Sequence, residues 1–89
     1  MIEVELRLFG AFRNYGSETA EFRLSVPEKT SVASLKKAFA AELRGRVPHF
    51  SDEQLVEDSA IADERRILSS GDILERSCRL AILPPVCGG

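Results

Sequence analysis

Tryptophan is missing from this chain and histidine occurs once, at His49. With Cys78 and Cys87 as the only thiols, a structural zinc site of four Cys or His ligands cannot be assembled, and no metal is expected. Two cysteines do not make a disulfide framework. They could close one short loop, but in a reducing cytosol they are expected to stay free. His49 stands near Asp52 and Glu53, yet no nucleophile, oxyanion donor or cleft can be read around it, so independent catalysis is not expected.

Charge of one sign is also lacking. Twelve Lys and Arg against fourteen Asp and Glu leave a net charge of −2, interleaved through most of the chain. That gives no footprint for nucleic acid or for an anionic membrane surface. No apolar run approaches the roughly 20 residues that span a bilayer. The opening Met1-Ile2-Glu3-Val4-Glu5 has neither the basic start nor the apolar stretch of a secretory signal. The expectation is a cytoplasmic protein.

What the chain does have is the material for one small domain: 89 residues, 44% hydrophobic and 29% charged. Ile2, Val4, Leu6 and Leu8 alternate with Glu3, Glu5 and Arg7, the period of a strand with one wet face. A loop follows with Gly10, Asn14, Gly16 and Ser17. Phe22, Leu24 and Val26 then alternate with Arg23 and Ser25 as a second strand that Pro27 ends.

Thr30 or Ser31 can cap a helix whose apolar stripe is Val32, Leu35, Phe39 and Leu43, with Ala38 on the same side. Gly45 and Pro48 predict its end near Arg44. From His49 to Glu64, six acids (Asp52, Glu53, Glu57, Asp58, Asp63, Glu64) surround Leu55, Val56 and Ile61, and the reading is a solvated acidic loop. Its charge would also attract a basic partner. Short strands are expected at 59–62 and Ile67-Leu68, a turn at Ser69-Ser70-Gly71-Asp72, and a closing strand from Arg79 to Leu83. Together these make an α+β domain, a mixed sheet packed on one main helix.

The chain finishes Pro84-Pro85-Val86-Cys87-Gly88-Gly89. A frayed terminus is the ordinary explanation of such residues. Here, however, two prolines bar helix and sheet-interior pairing while two glycines remove all side-chain bulk, which suits threading into a narrow active site. Residues 1–83 are read as the globule and 84–89 as a flexible tail. In a polyproline conformation of about 3.1 Å per residue, that tail reaches roughly 15–20 Å. Its α-carboxylate is inert as an anion. Adenylation with ATP would supply a leaving group, and a thiolate or persulfide could then attack the carbonyl carbon.

At these residues the chain resembles the small subunit of molybdopterin synthase, one of the ubiquitin-like sulfur carriers. The ending Leu83-Pro84-Pro85-Val86-Cys87-Gly88-Gly89 looks like that family's terminal motif, with Cys87 where a small residue usually stands. Val4-Glu5-Leu6-Arg7-Leu8-Phe9-Gly10-Ala11-Phe12-Arg13 is similar to its first strand and the positions that follow. Ser31-Val32-Ala33-Ser34-Leu35 sits where its helix starts, and Gly71-Asp72 resembles its last turn. Two features depart from the family: Ile73 to Cys78 look like extra residues, and the 49–64 region lacks a clear strand and an Asn-Gly-type turn.

The resemblance implies a β-grasp (ubiquitin-like) fold with the first and last strands side by side in the centre. It implies that an E1-like adenylating enzyme uses ATP to activate Gly89 and that a sulfur donor converts it to a thiocarboxylate. The large molybdopterin synthase subunit then takes the tail, and the sulfur enters the molybdopterin dithiolene. No cofactor is bound tightly. On this reading Gly89 reacts, Gly88 gives clearance, and Pro84, Pro85, Val86 and Cys87 guide insertion. Phe9 and Arg13 are candidate partner contacts, although Phe9 and Phe12 can instead close the core. Competing readings are a carrier of the same fold for thiazole, cysteine or thionucleoside synthesis, a protein modifier joined through Gly89 to a lysine amine, and a β-grasp interaction module without tail chemistry.

Overall fold

The structure is a computed structural model that describes residues 1–15, 20–47 and 53–85. Its strands are β1 (Ile2–Leu8), β2 (Glu21–Val26), β3 (Thr30–Ser31), β4 (Ala60–Ala62), β5 (Ile67–Leu68), β6 (Ile73–Leu74) and β7 (Cys78–Leu83). Its helices are α1 (Val32–Arg46) and α2 (Glu53–Asp58), and a 3-10 segment covers Gly10–Tyr15. The main sheet runs β2-β1-β7-β4-β5, with β1 and β7 parallel at its centre and the other pairs antiparallel. A two-stranded β3-β6 sheet stands apart. This is the β-grasp, with first and last strands paired as the resemblance implies.

Alternation decides which face of the sheet is wet. Ile2, Val4, Leu6 and Leu8 are buried while Glu3 and Arg7 are exposed, and Phe22, Leu24 and Val26 repeat the pattern in β2. The buried face packs on the α1 stripe of Val32, Leu35, Phe39, Ala40 and Leu43. Phe39 meets Phe12 and Phe22 edge-on, with ring centroids 5.9 and 5.0 Å apart. Arg46 covers the outer side of Phe22, its guanidinium carbon 4.4 Å from the ring centroid.

Ser31 is the cap of α1: its hydroxyl accepts the Ser34 N–H at 3.1 Å. The helix runs through Gly45 to Arg46, past the end expected near Arg44. Gly45 faces open space and costs only propensity, whereas Val47 is extended, as the residue before a proline tends to be. Pro48, rather than Gly45, coincides with the stop; Pro48 itself, like His49 and Asp52, lies outside the described residues.

Two short elements depart from the expected loops. Residues 53–58 are helical, held by one fully buried side chain, Val56, and tied to α1 by a Glu53–Arg44 ion pair and by the Lys36 ammonium donating to the Glu57 carbonyl at 2.9 Å. The supposed extra residues 73–78 contain β6, which pairs with Thr30-Ser31 and buries Leu74. The turn before it then closes over the start of α1: Val32 N–H donates to the Asp72 carbonyl and Ala33 N–H to that of Ser70. Two of the helix's orphan donors are thereby satisfied by backbone rather than side chains.

The β4–β5 turn, for which the sequence offered no Asn-Gly pair, is made by Asp63. Its carboxylate accepts the N–H groups of Arg65 and Arg66 at 2.8 and 2.9 Å. Asp72 plays the same part at 69–72, accepting from Ser69 N–H at 2.8 Å and from Arg66 at 3.2 Å. These N–H donors, with Arg66 adding its charge, hold both carboxyls below the ordinary value of 3.8. Because the folded pKa is the lower one, the stabilisation is present above the ordinary carboxylate pKa and is lost as pH falls through the folded value. The melting temperature is therefore expected to drop on acidification below about pH 4, and to drop less steeply in an Asp63→Asn/Asp72→Asn double variant. Identical acid profiles for the two proteins would show that these turns do not contribute.

Candidate functional site

β7 carries the C-terminal end of the chain into the middle of the sheet, between β1 and β4. Leu8 pairs with Ile82 and Ala60 with Leu83, so ladder bonds hold the backbone on both sides almost to its end. Pro84 follows, and with no N–H to donate it ends the pairing. It is half-buried, while Pro85 is exposed. Strand pairing at this end of the chain thus stops at Leu83, and Pro84 and Pro85 are the last described residues.

What Pro84 rests on is Gly10. A Cβ placed on Gly10 would lie 2.7 Å from Pro84 Cγ, far inside the roughly 3.5–4.0 Å of ordinary carbon contact. Gly10 also has φ +58°, in the left-handed region that side chains resist. Backbone conformation and close approach both require glycine here. In the sequence Gly10 reads as a loop glycine inside the segment that resembles the family's opening; a glycine two residues after a strand is the signal for the close approach.

Gly10 opens the 3-10 segment, which Phe12 pins to the core: fully buried, its ring meets Phe39 and also Tyr15, at 6.5 Å. Of the two phenylalanines read from the sequence, Phe12 closes the core and Phe9 faces solvent, 40% exposed. Arg13 is exposed on the same segment. Phe9 and Arg13 therefore flank the seat of Pro84 in the chain. Val86, Cys87, Gly88 and Gly89 lie outside the described residues.

Beside this root, the outer face of the sheet changes character by rows. Register aligns Glu21, Arg7, Ala81, Ala62 and Ile67 across four neighbouring strand pairs, and Ile67 is 62% exposed. The Ala81, Ala62 and Ile67 half of this row makes, with Phe9, a low apolar strip toward the tail end of the sheet. One row away, Glu5 sits between Arg23 and Arg79, each 3.7 Å from its carboxylate. A shallow depression lined by Glu5, Arg7, Phe9, Ala62 and Ala81 joins the two. The apolar strip had no sequence signal, because Ala62, Ile67 and Ala81 come together only through strand order.

Cys78 opens β7 as a half-buried free thiol. Burial, and after it the Asp63 charge, push its pKa up, so it is less of a thiolate than an ordinary cysteine. Among the described residues no three His, Cys, Asp or Glu side chains stand close enough to hold a metal ion, and no helix is long and apolar enough to cross a membrane.

No protein-family model matches the sequence, and no curated protein matches it. Solved structures do match. The small archaeal modifier protein 1 (SAMP1) of Haloferax volcanii is similar over 98% of this chain and 99% of its own, with a TM-score of 0.68 and 19% identity. A Pyrococcus furiosus protein assigned as molybdopterin converting factor subunit 1 is similar over 97% of this chain and 100% of its own, at TM-score 0.65 and 23% identity. A complex of subunits 1 and 2 of the molybdopterin-converting factor of Helicobacter pylori contains a chain similar at TM-score 0.56 and 22% identity, over 99% of this chain and 100% of that one. These alignments, which share the ubiquitin-like fold, cover 97–99% of this chain.

Proposed function

We propose that this chain is a sulfur carrier whose reactive group is the Gly89 carboxylate, and that it serves as the small subunit of a molybdopterin synthase. One observation carries the reading: the central strand β7 ends at a proline seated on Gly10, so the root of a Pro-Pro-Val-Cys-Gly-Gly terminus starts from a fixed point of a rigid sheet. A tail that must enter another protein's active site works best from such an anchor, because less freedom is lost on insertion.

The chemistry follows from the carboxylate. An E1-like enzyme joins Gly89 to the α-phosphate of ATP and releases pyrophosphate. A donor persulfide attacks the acyl carbon and AMP leaves; a second thiol then cleaves the acyl disulfide, taking up the donor as a disulfide and leaving a C-terminal thiocarboxylate. The absence of Cβ atoms on Gly88 and Gly89 lets the enzyme's backbone close around the reacting carbonyl. Pro84 to Cys87 guide the tail, and Phe9 and Arg13 are partner contacts. The Helicobacter pylori complex supports a larger subunit as partner, and the cytoplasm supplies the ATP and reducing thiols that the cycle needs.

The test is intact mass and terminal-peptide mass after incubation with ATP, the host's E1-like enzyme and a sulfur donor. Exchange of one oxygen for sulfur at Gly89 is the expected result. No exchange, with an activating enzyme that works on a known carrier, removes the proposal.

A second reading shares the first step. The likeness to small archaeal modifier protein 1 favours transfer of activated Gly89 to a lysine amine, with an isopeptide bond as product. Gly89 found on lysines of other cellular proteins would select it.

A further inference from the structure

Resting on the reactive-terminus reading, we infer that Gly10 is a positioning residue for the tail: its bare Cα is the seat that fixes the direction in which the chain leaves the sheet at Pro84. Pairing ends at Leu83, so nothing in the ladder constrains the next residue. The constraint comes from the other end of the chain. Gly10 is held by β1 behind it and by the 3-10 segment ahead of it, which Phe12 anchors in the core. Additional ties fix this corner: Leu8 N–H donates to the Ala20 carbonyl at 2.8 Å and Phe12 N–H to that of Phe9 at 3.2 Å. The pyrrolidine ring is thus pressed against a part of the molecule that cannot easily give way.

A methyl group at residue 10 would meet Pro84 Cγ at 2.7 Å, so the ring has to move by about 1 Å to regain contact distance. A shift at the root turns everything beyond it. Misplacement of a reacting group by about 1 Å is already worth ~100-fold in favourable cases, although a pliable tail recovers part of the loss by paying for it in binding. The expected signature is therefore a raised KM with kcat kept.

Full-length Gly10→Ala, Pro84→Ala and the double variant are compared in ATP–pyrophosphate exchange catalysed by the E1-like enzyme. Gly10→Ala should raise the KM for the carrier about tenfold with less than a roughly twofold change in kcat. The double variant should match Pro84→Ala alone, because the atom that Cβ would strike is gone. An equal loss from Gly10→Ala in both backgrounds would assign the effect to backbone strain at positive φ and overturn the seat, as would no loss at all.

A second measurement does not depend on activity. In the wild-type protein, Gly10 Hα and Pro84 Hγ should show a nuclear Overhauser effect, and residual dipolar couplings of residues 85–87 should change in Gly10→Ala. Absence of that contact overturns the seat whatever the tail does chemically. The contact with altered couplings, in a protein that no activating enzyme adenylates, keeps the seat and removes the carrier reading.

Discussion

A chain lacking Gly89 should melt with the wild type and fail to be activated. Deletion moves the terminal carboxylate back to Gly88, about 3.3–3.6 Å along an extended backbone. An adenylating site must bring that carboxylate to the α-phosphate of ATP, and a shortfall of that size exceeds by severalfold the misplacement that costs ~100-fold. The expected loss in kcat/KM for activation is at least about 1,000-fold. Stability has no comparable stake. Among the described residues, the last that this end gives to the core is Ile82, fully buried; Pro84, seated on Gly10, is half-buried, and Pro85 is exposed. The change in unfolding free energy should stay within about 0.5 kcal/mol. Pyrophosphate exchange and a thermal melt on the same sample check both halves. Activity within tenfold of wild type, or a melting shift beyond about 4 °C, would break the separation between a chemical terminus and a structural domain. A bulky residue added after Gly89 should behave in the same way.

The separation has a topological basis. β7 is last in sequence but central in the sheet, gripped by β1 on one side and β4 on the other. Its pairing with β1 joins the two ends of the chain, so the tail acquires a fixed origin only when the sheet is complete. An activating enzyme that reads both the tail and the outer strip of Phe9, Ala62, Ala81 and Ile67 would then select folded carriers over unfolded ones.

Elements that bury a repeated face were legible in the sequence. The alternation of Ile2, Val4, Leu6 and Leu8 marked β1 to the residue, and Val32, Leu35, Phe39 and Leu43 marked α1. Three elements held by a single buried residue were not, although β4, in which Ile61 alone is buried, was expected at 59–62. The 3-10 segment depends on Phe12, α2 on Val56 and β6 on Leu74, and one apolar residue has no period to detect. Their stability comes from partners distant in sequence: Arg44 and Lys36 for α2, Thr30-Ser31 for β6. The site divides in the same way. A Gly-Gly terminus after two prolines is local information. The pairing of Gly10 with Pro84, and the strip that includes Ala62 and Ala81, exist only through the strand order.

Phe39→Ala should be the most damaging single substitution in the core. The ring is fully buried and packs edge-on against both Phe12 and Phe22, so it links α1, the 3-10 segment and β2 at one point. Truncation removes its transfer energy and both aromatic contacts, and leaves a void that the neighbouring rings on two separate elements cannot close together. Such substitutions cost about 3–5 kcal/mol. A domain of this size has roughly 5–10 kcal/mol in all, so the variant should unfold some 12–40 °C lower. Phe39→Leu, which keeps most of the volume, should lose about 1–2 kcal/mol. Urea unfolding of the three proteins at one temperature gives the comparison directly. A loss below about 1 kcal/mol for Phe39→Ala would mean that Phe12 and Phe22 repack without it. The same variant links core and tail. Phe12 loses its main partner when Phe39 goes, so the segment that carries Gly10 should loosen, and activation of Gly89 at a temperature where the protein is still folded should show a raised KM with little change in kcat.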